Sequence, residues 1–131
     1  MHRRHISSGT PWEDKVGYSR AVRVGDMVFV AGTLAADEAG RIHAPDDGYE
    51  QARYIFSKIE RALREAGASL SDVVRTRMFV SDLRHQEGIG RAHGEFFSSI
   101  RPASTMIGGA VFVSPRAVVE IEVDAVIAKI M

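Results

Sequence analysis

Between Val119 and Ala125 apolar and acidic residues alternate strictly. Val119, Ile121, Val123 and Ala125 interleave with Glu120, Glu122 and Asp124. Strand side chains point alternately to two faces, so this spacing predicts a strand with an apolar row on a core and three carboxylates opposite. Three acids on one face repel one another unless cations or water answer them. The same period in VVRTRMFVS (73–81) sets Val74, Thr76, Met78 and Val80 on one face, and Val73, Arg75, Arg77 and Phe79 on the other. Tyr18 to Val24 and Met27 to Thr33 flank Gly25-Asp26, whose turn chemistry predicts a β-hairpin with an apolar, central second strand. His2 to Ser8 reads as an edge strand. Thr10-Pro11-Trp12-Glu13 reads as a loop whose tryptophan covers an edge or a neighbouring subunit, and residues 37–47 as a second loop. Ile100 to Ala128 holds two strand patterns back to back, with Gly108-Gly109 as a bulge inside the first.

Helical spacing occupies the middle of the chain. Asp47 and Glu50 have the spacing of a capping box, and Ala52, Ile55, Phe56, Ile59, Ala62, Leu63 and Ala66 recur on one face up to Gly67, which suits the C′ position. Ile89, Ala92, His93, Phe96, Phe97 and Ile100 predict a second helix, ended by Pro102. Gly88, Gly90 and Gly94 weaken it by roughly 1 kcal/mol each relative to alanine, so tertiary packing must hold it. The order strand, hairpin, helix, strand, helix, two strands fits an α+β fold with both helices on one face of a mixed sheet. Val119/Ile121/Val123/Ala125 and Thr76/Met78/Val80 then face the helices. The uncovered face receives the acids, Arg75, Arg77, Phe79, Val22 and Val118. Such a mixture of charge and apolar surface predicts an oligomer interface with polar pockets.

Composition narrows the function. At 131 residues, 45% hydrophobic and 26% charged, the chain is read as one domain over residues 1–131 with a real core. Its 17 basic and 17 acidic residues cancel, which argues against nucleic-acid binding driven by phosphate neutralisation. No cysteine is present, which excludes disulfides and thiolate chemistry. The five histidines show no metal-binding spacing, so neither a metal nor a cofactor is expected, and His93 is read as a packed or interface residue. No apolar run reaches membrane-spanning length and no signal peptide precedes it, so a cytoplasmic protein is expected.

Four segments carry a resemblance: GYSRAVRVGDMVFVAGT (17–33), EQARYIFSKIERALREAGASLSDVVRTRMFVSDL (50–83), EFFSSIRPAST (95–105) and VEIEVDAVIA (119–128). In this order they resemble the RidA/YjgF family of reactive-intermediate (imine/enamine) deaminases, also known as L-PSP endoribonucleases. The resemblance implies a chorismate-mutase-like sheet of six strands with two helices on one face. It also implies a homotrimer with small-molecule clefts between subunits on the sheet face away from the helices. Deaminating members carry an arginine after the Pro-Ala of an RPAR-type motif, where its guanidinium pairs with a substrate carboxylate. Here Arg101-Pro102-Ala103 is followed by Ser104, which brings no charge. The family's water-positioning glutamate matches Glu120, with Glu122 as the alternative. Its tyrosine of the YSQ motif matches Tyr18, its VSG serine is Ala31 with Gly32 retained, and its helix asparagine is Gly90.

The candidate residues are therefore Glu120 as acid/base, with Tyr18, Ala31, Gly32, Ser104, Thr105 and Arg77 around a ligand. Arg77 or Arg75 stands in for the missing cation, or else simply neutralises the acid row. Ser104 and Thr105 have no His and Asp at recognisable spacing, which counts against a nucleophilic role. Two other readings stand beside the small-molecule one. The first is an RNA-directed activity, and the second a non-enzymatic chaperone-like or regulatory trimer.

Overall fold

The alternating segments assemble into one sheet in the computed structural model, which describes residues 2–128. Strands β1 (Arg3–Ile6), β2 (Ala21–Val24), β3 (Met27–Thr33), β4 (Val73–Val80), β5 (Ala103–Ile107) and β6 (Val119–Val126) lie in the order β1-β2-β3-β6-β4-β5. Neighbours are antiparallel except β4 and β5, which are parallel. A parallel pair cannot be joined by a tight turn, and helix α3 (Gln86–Phe97) makes the crossover. Helix α2 (Gly48–Glu65) likewise links β3 to β4, leaving between them the slot that β6 fills. The two closing strands are thus separated by β4 rather than paired.

The predicted rows take their places. Val119, Ile121 and Val123 are fully buried with Ala125, and they pack under the α2 stripe of Ala52, Ile55, Phe56, Ile59 and Leu63. Asp47 caps α2 by accepting the Glu50 amide at 3.0 Å, and Gly67 follows the helix at φ +86°. The hairpin turns at Gly25-Asp26, where Val24 pairs with Met27 and Gly25 has φ +57°. Weakly helical α3 is held by Ile89, Ala92 and Phe97, all buried. Buried Gln51 donates to the Ala44 and Arg116 carbonyls and accepts the Val118 amide, tying two loops to α2.

Several expectations need correction. Residues Pro11–Val16 form a short helix, α1, where a loop was predicted. Pro11 at its start, acidic Glu13 and Asp14 in its first turn and left-handed Gly17 at its end are helix signals that a six-residue span hides. The hairpin's first strand begins at Ala21 rather than Tyr18. A register shift between Val73 and Arg75 exchanges the first two residues of β4, so Val73 is buried and Val74 exposed. Gly108 and Gly109 lie beyond β5, in the loop to β6, rather than inside a strand. Val118 precedes β6 and is buried in the core, not on the open face. Arg4 donates to the Glu65 carbonyl at the end of α2. Trp12 stays largely exposed on this chain.

Candidate functional site

On the open face the pairing of β3 with β6 slips between Val30 and Thr33, which makes a bulge at Ala31-Gly32. The Glu120 side chain occupies the space over Gly32. A Cβ added there would lie 3.1 Å from Glu120 Cδ and 3.2 Å from Oε2, so glycine is what lets this carboxylate lie against the backbone. Glu120 is half-buried. Burial lifts its carboxyl above the ordinary value, the Arg20 charge opposes this, and Glu122 adds to it. A carboxyl poised in this way exchanges protons closer to neutral pH than a solvated one.

Arg20, which the sequence reading did not single out, lies under this site. It is buried and donates from Nη1 to the Gly32 carbonyl at 2.8 Å and to Thr33 Oγ1 at 3.0 Å. Its Nη2 donates to the Tyr18 hydroxyl at 3.4 Å. Its Nε has no hydrogen bond and stands 3.9 Å from Glu13 Oε2. Glu13 on α1 is itself buried. Although burial acts to raise it, hydrogen bonds from the Ser8 hydroxyl and amide and from Thr10 hold its carboxyl below the ordinary value. The signal for Arg20 was the motif itself, Tyr18-Ser19-Arg20 where the family pattern reads YSQ.

Beside the bulge is a cavity of about 470 Å³ lined by Tyr18, Phe29, Ala31, Arg77, Glu122 and Asp124 among others. Three of the predicted ligand-binding positions, Tyr18, Ala31 and Arg77, meet here, with Gly32 and Glu120 next to them at the bulge. Arg77 is 3.4 Å from Glu122 and 3.1 Å from Asp124, so its charge is already answered by the acid row. Arg75 sits opposite Asp124 in the register.

Ser104 and Thr105 are placed differently. Thr105 pairs with Arg77 across β4 and β5, whereas Ser104 pairs with Thr76. The Ser104 and Thr76 hydroxyls are 2.8 Å apart, and Thr76 Oγ1 is 2.8 Å from His93 Nε2. Ser104 therefore turns toward the helices, away from Glu120. A histidine does accompany it after all, through a threonine on a neighbouring strand, a relation that no sequence spacing reveals. Burial lowers the His93 pKa and favours its neutral form. His93 packs against Phe56 and Phe97, as expected of a core histidine. Gly90 is exposed on α3. Among the described residues no group of three or more His, Cys, Asp or Glu is disposed to hold a metal ion.

Residues 12–127 match the family model described as Endoribonuclease L-PSP. The chain belongs to the RidA/YjgF family. A Mycobacterium tuberculosis member of the YjgF/YER057c/UK114 family superimposes with a TM-score of 0.87 at 42% identity, covering 96% of this chain and 100% of that one. An uncharacterized protein of Streptomyces coelicolor is 38% identical over 122 residues, 93% of this chain and 90% of its own. A RutC family protein of Pyrococcus abyssi is 37% identical over 91 residues, 69% of this chain and 71% of its own. The six-stranded mixed sheet with its helices is the fold shared with the Mycobacterium tuberculosis structure. Among the described residues no helix is long and apolar enough to cross a membrane.

Proposed function

We propose that this RidA/YjgF protein binds a small metabolite in clefts that form when three copies meet through their open sheet faces, and that Glu120 is the acid/base of that cleft. The observation that carries this reading is the Glu120 carboxyl, half-buried over the Gly32 bulge, raised in pKa and backed by buried Arg20. Hydrolysis of an imine adds water to its carbon and expels ammonia to leave a carbonyl, and a carboxyl raised above its ordinary pKa supports the proton transfers. Exposed Met27, Phe29, Val74 and Ile107 give the strand rows apolar surface for neighbouring copies to cover. Tyr18, Ala31, Gly32, Thr105 and Arg77 line the cleft. No metal or cofactor takes part, and the protein works in the cytoplasm.

Carboxylate-bearing 2-imino acids are poor substrates in this reading. Ser104 offers no charge, its hydroxyl is engaged with Thr76, and Arg77 is held by Glu122 and Asp124. The test is ammonia release from 2-iminopropionate generated in situ, with the trimer checked by light scattering. Wild type is expected to be slow, and Glu120→Ala to remove what activity remains. Full activity in wild type would overturn the substrate assignment, and turnover unchanged by Glu120→Ala would overturn the role of Glu120.

A further inference from the structure

A larger cavity lies on the helix side of the molecule, away from the open face. It encloses about 720 Å³, within the range of roughly 300–1,000 Å³ usual for small-molecule sites. Its walls are one stripe of α2 and the loop after β3, and its lining includes Thr10, Arg41, Arg53, Ser57, Lys58 and Arg61.

Charge on these walls is unevenly matched. Of the lining acids, Asp37 pairs with Arg41 at 3.2 Å and Glu50 with Arg53 at 3.3 Å, which leaves only exposed Glu38. No carboxylate lies within 4.0 Å of Lys58 or Arg61 among the described residues. These two cations are three residues apart on α2, so they are neighbours on its surface. Lys58 Nζ donates to the Leu34 carbonyl at 3.2 Å and the Ala36 carbonyl at 2.8 Å. An ammonium has three protons, so one remains. Arg61 makes no hydrogen bond or ion pair among the described residues, and its fork is available. His43, stacked on Tyr54 with ring centroids 4.7 Å apart, adds a flat wall to the same cavity.

We infer that this cavity is a binding site for a small phosphate-bearing molecule, its phosphoryl oxygens held between Lys58 and Arg61. A phosphate dianion has three terminal oxygens for the remaining ammonium proton and the guanidinium fork, and its two charges match the two cations, where a carboxylate brings only one. The surroundings agree. Burial presses the Lys58 pKa down to about 8, Arg20 and Arg61 push it the same way, and Asp37 and Glu13 only partly oppose them. Positive charge is under-compensated at this place, and a bound anion relieves it. The site shares no lining residue with the open-face cavity, so it stands whether or not Glu120 is catalytic.

The test is an NMR titration of the full chain with inorganic phosphate, followed by sulfate, whose charge does not change between pH 7 and 9.5. Saturable amide shifts confined to residues 36–43 and 53–61 are expected. Arg61→Gln should weaken phosphate about tenfold, while exposed Arg3→Gln leaves it unchanged. Sulfate affinity should fall as pH rises through about 8, where Lys58 loses its proton, and Lys58→Arg should abolish that fall. Unsaturable shifts spread over surface basic residues, or full phosphate affinity in Arg61→Gln, would overturn the site. So would a pH-independent affinity for sulfate. Arg61→Gln keeps the test decisive if replacing Lys58 disturbs the carbonyls it holds.

Discussion

Two carboxylates flank Arg20 and are driven in opposite directions. Glu13, the less exposed to solvent, feels burial pushing its carboxyl up, but is held below the ordinary pKa because Ser8 and Thr10 donate to it. Burial is the largest influence on both, and at Glu120 it prevails, because the hydrogen bonds that serve Glu13 have no counterpart there among the described residues. Solvent exposure alone therefore does not decide protonation. What decides it is whether donors replace the water that burial removes. The first carboxylate is built to stay ionised beneath Arg20 and anchor α1. The second is left able to change its protonation state.

That contrast breaks most visibly at Glu13. Glu13→Gln removes the charge opposite buried Arg20 and disturbs the Ser8 and Thr10 hydrogen bonds, and it should cost about 2–3 kcal/mol in urea unfolding at pH 7. A loss below about 0.5 kcal/mol would show that Glu13 is not the structural member of the pair. Gly32→Ala comes next. The added methyl meets Glu120 at 3.1 Å, and pushing the carboxylate aside should cost about 1 kcal/mol and move the Glu120 titration seen by carboxyl-carbon NMR. An unmoved titration would mean that the bulge does not set the environment of Glu120.

Glu120→Gln should change stability least, by less than about 1 kcal/mol and toward greater stability at pH 7. The signs across pH are opposite for the two residues. The Glu13 pKa lies below its ordinary 4.5 in the fold, so its contribution is full above that value and is lost as pH falls through the folded pKa. The Glu120 pKa lies above 4.5, so its neutral form favours folding below that value, and the benefit is lost as pH rises through the folded pKa. Unfolding midpoints compared at pH 4 and 7 should therefore shift in opposite senses for the two glutamine variants. Parallel shifts would break the comparison.

Much of this was legible along the chain. Strict alternation placed Glu120, Glu122 and Asp124 on the open face, because each strand residue reverses direction and no bulge interrupts that stretch of β6. The α2 stripe and its Asp47 cap were equally plain, since both depend on neighbours within a turn. Where a strand slips, the reading slipped too. Val73 and Val74 exchanged faces, and the bulge that opens Gly32 to Glu120 could not be foreseen, because register belongs to a pair of strands and not to one. Helix α1 was missed because six residues give too little periodicity to stand out.

By itself, then, the sequence determined the larger elements, the two rows of β6, the family and the absence of charge at Ser104. These follow from local spacing and from residue identity. Only the tertiary structure decided which groups meet. It set Arg20 beneath Gly32 between Glu13 and Glu120, joined Ser104 to His93 through Thr76, and left Lys58 and Arg61 without an acid. Each of those relations crosses elements distant in sequence, and charge and hydrogen bonding act through space over a few ångströms, with no regard to chain order.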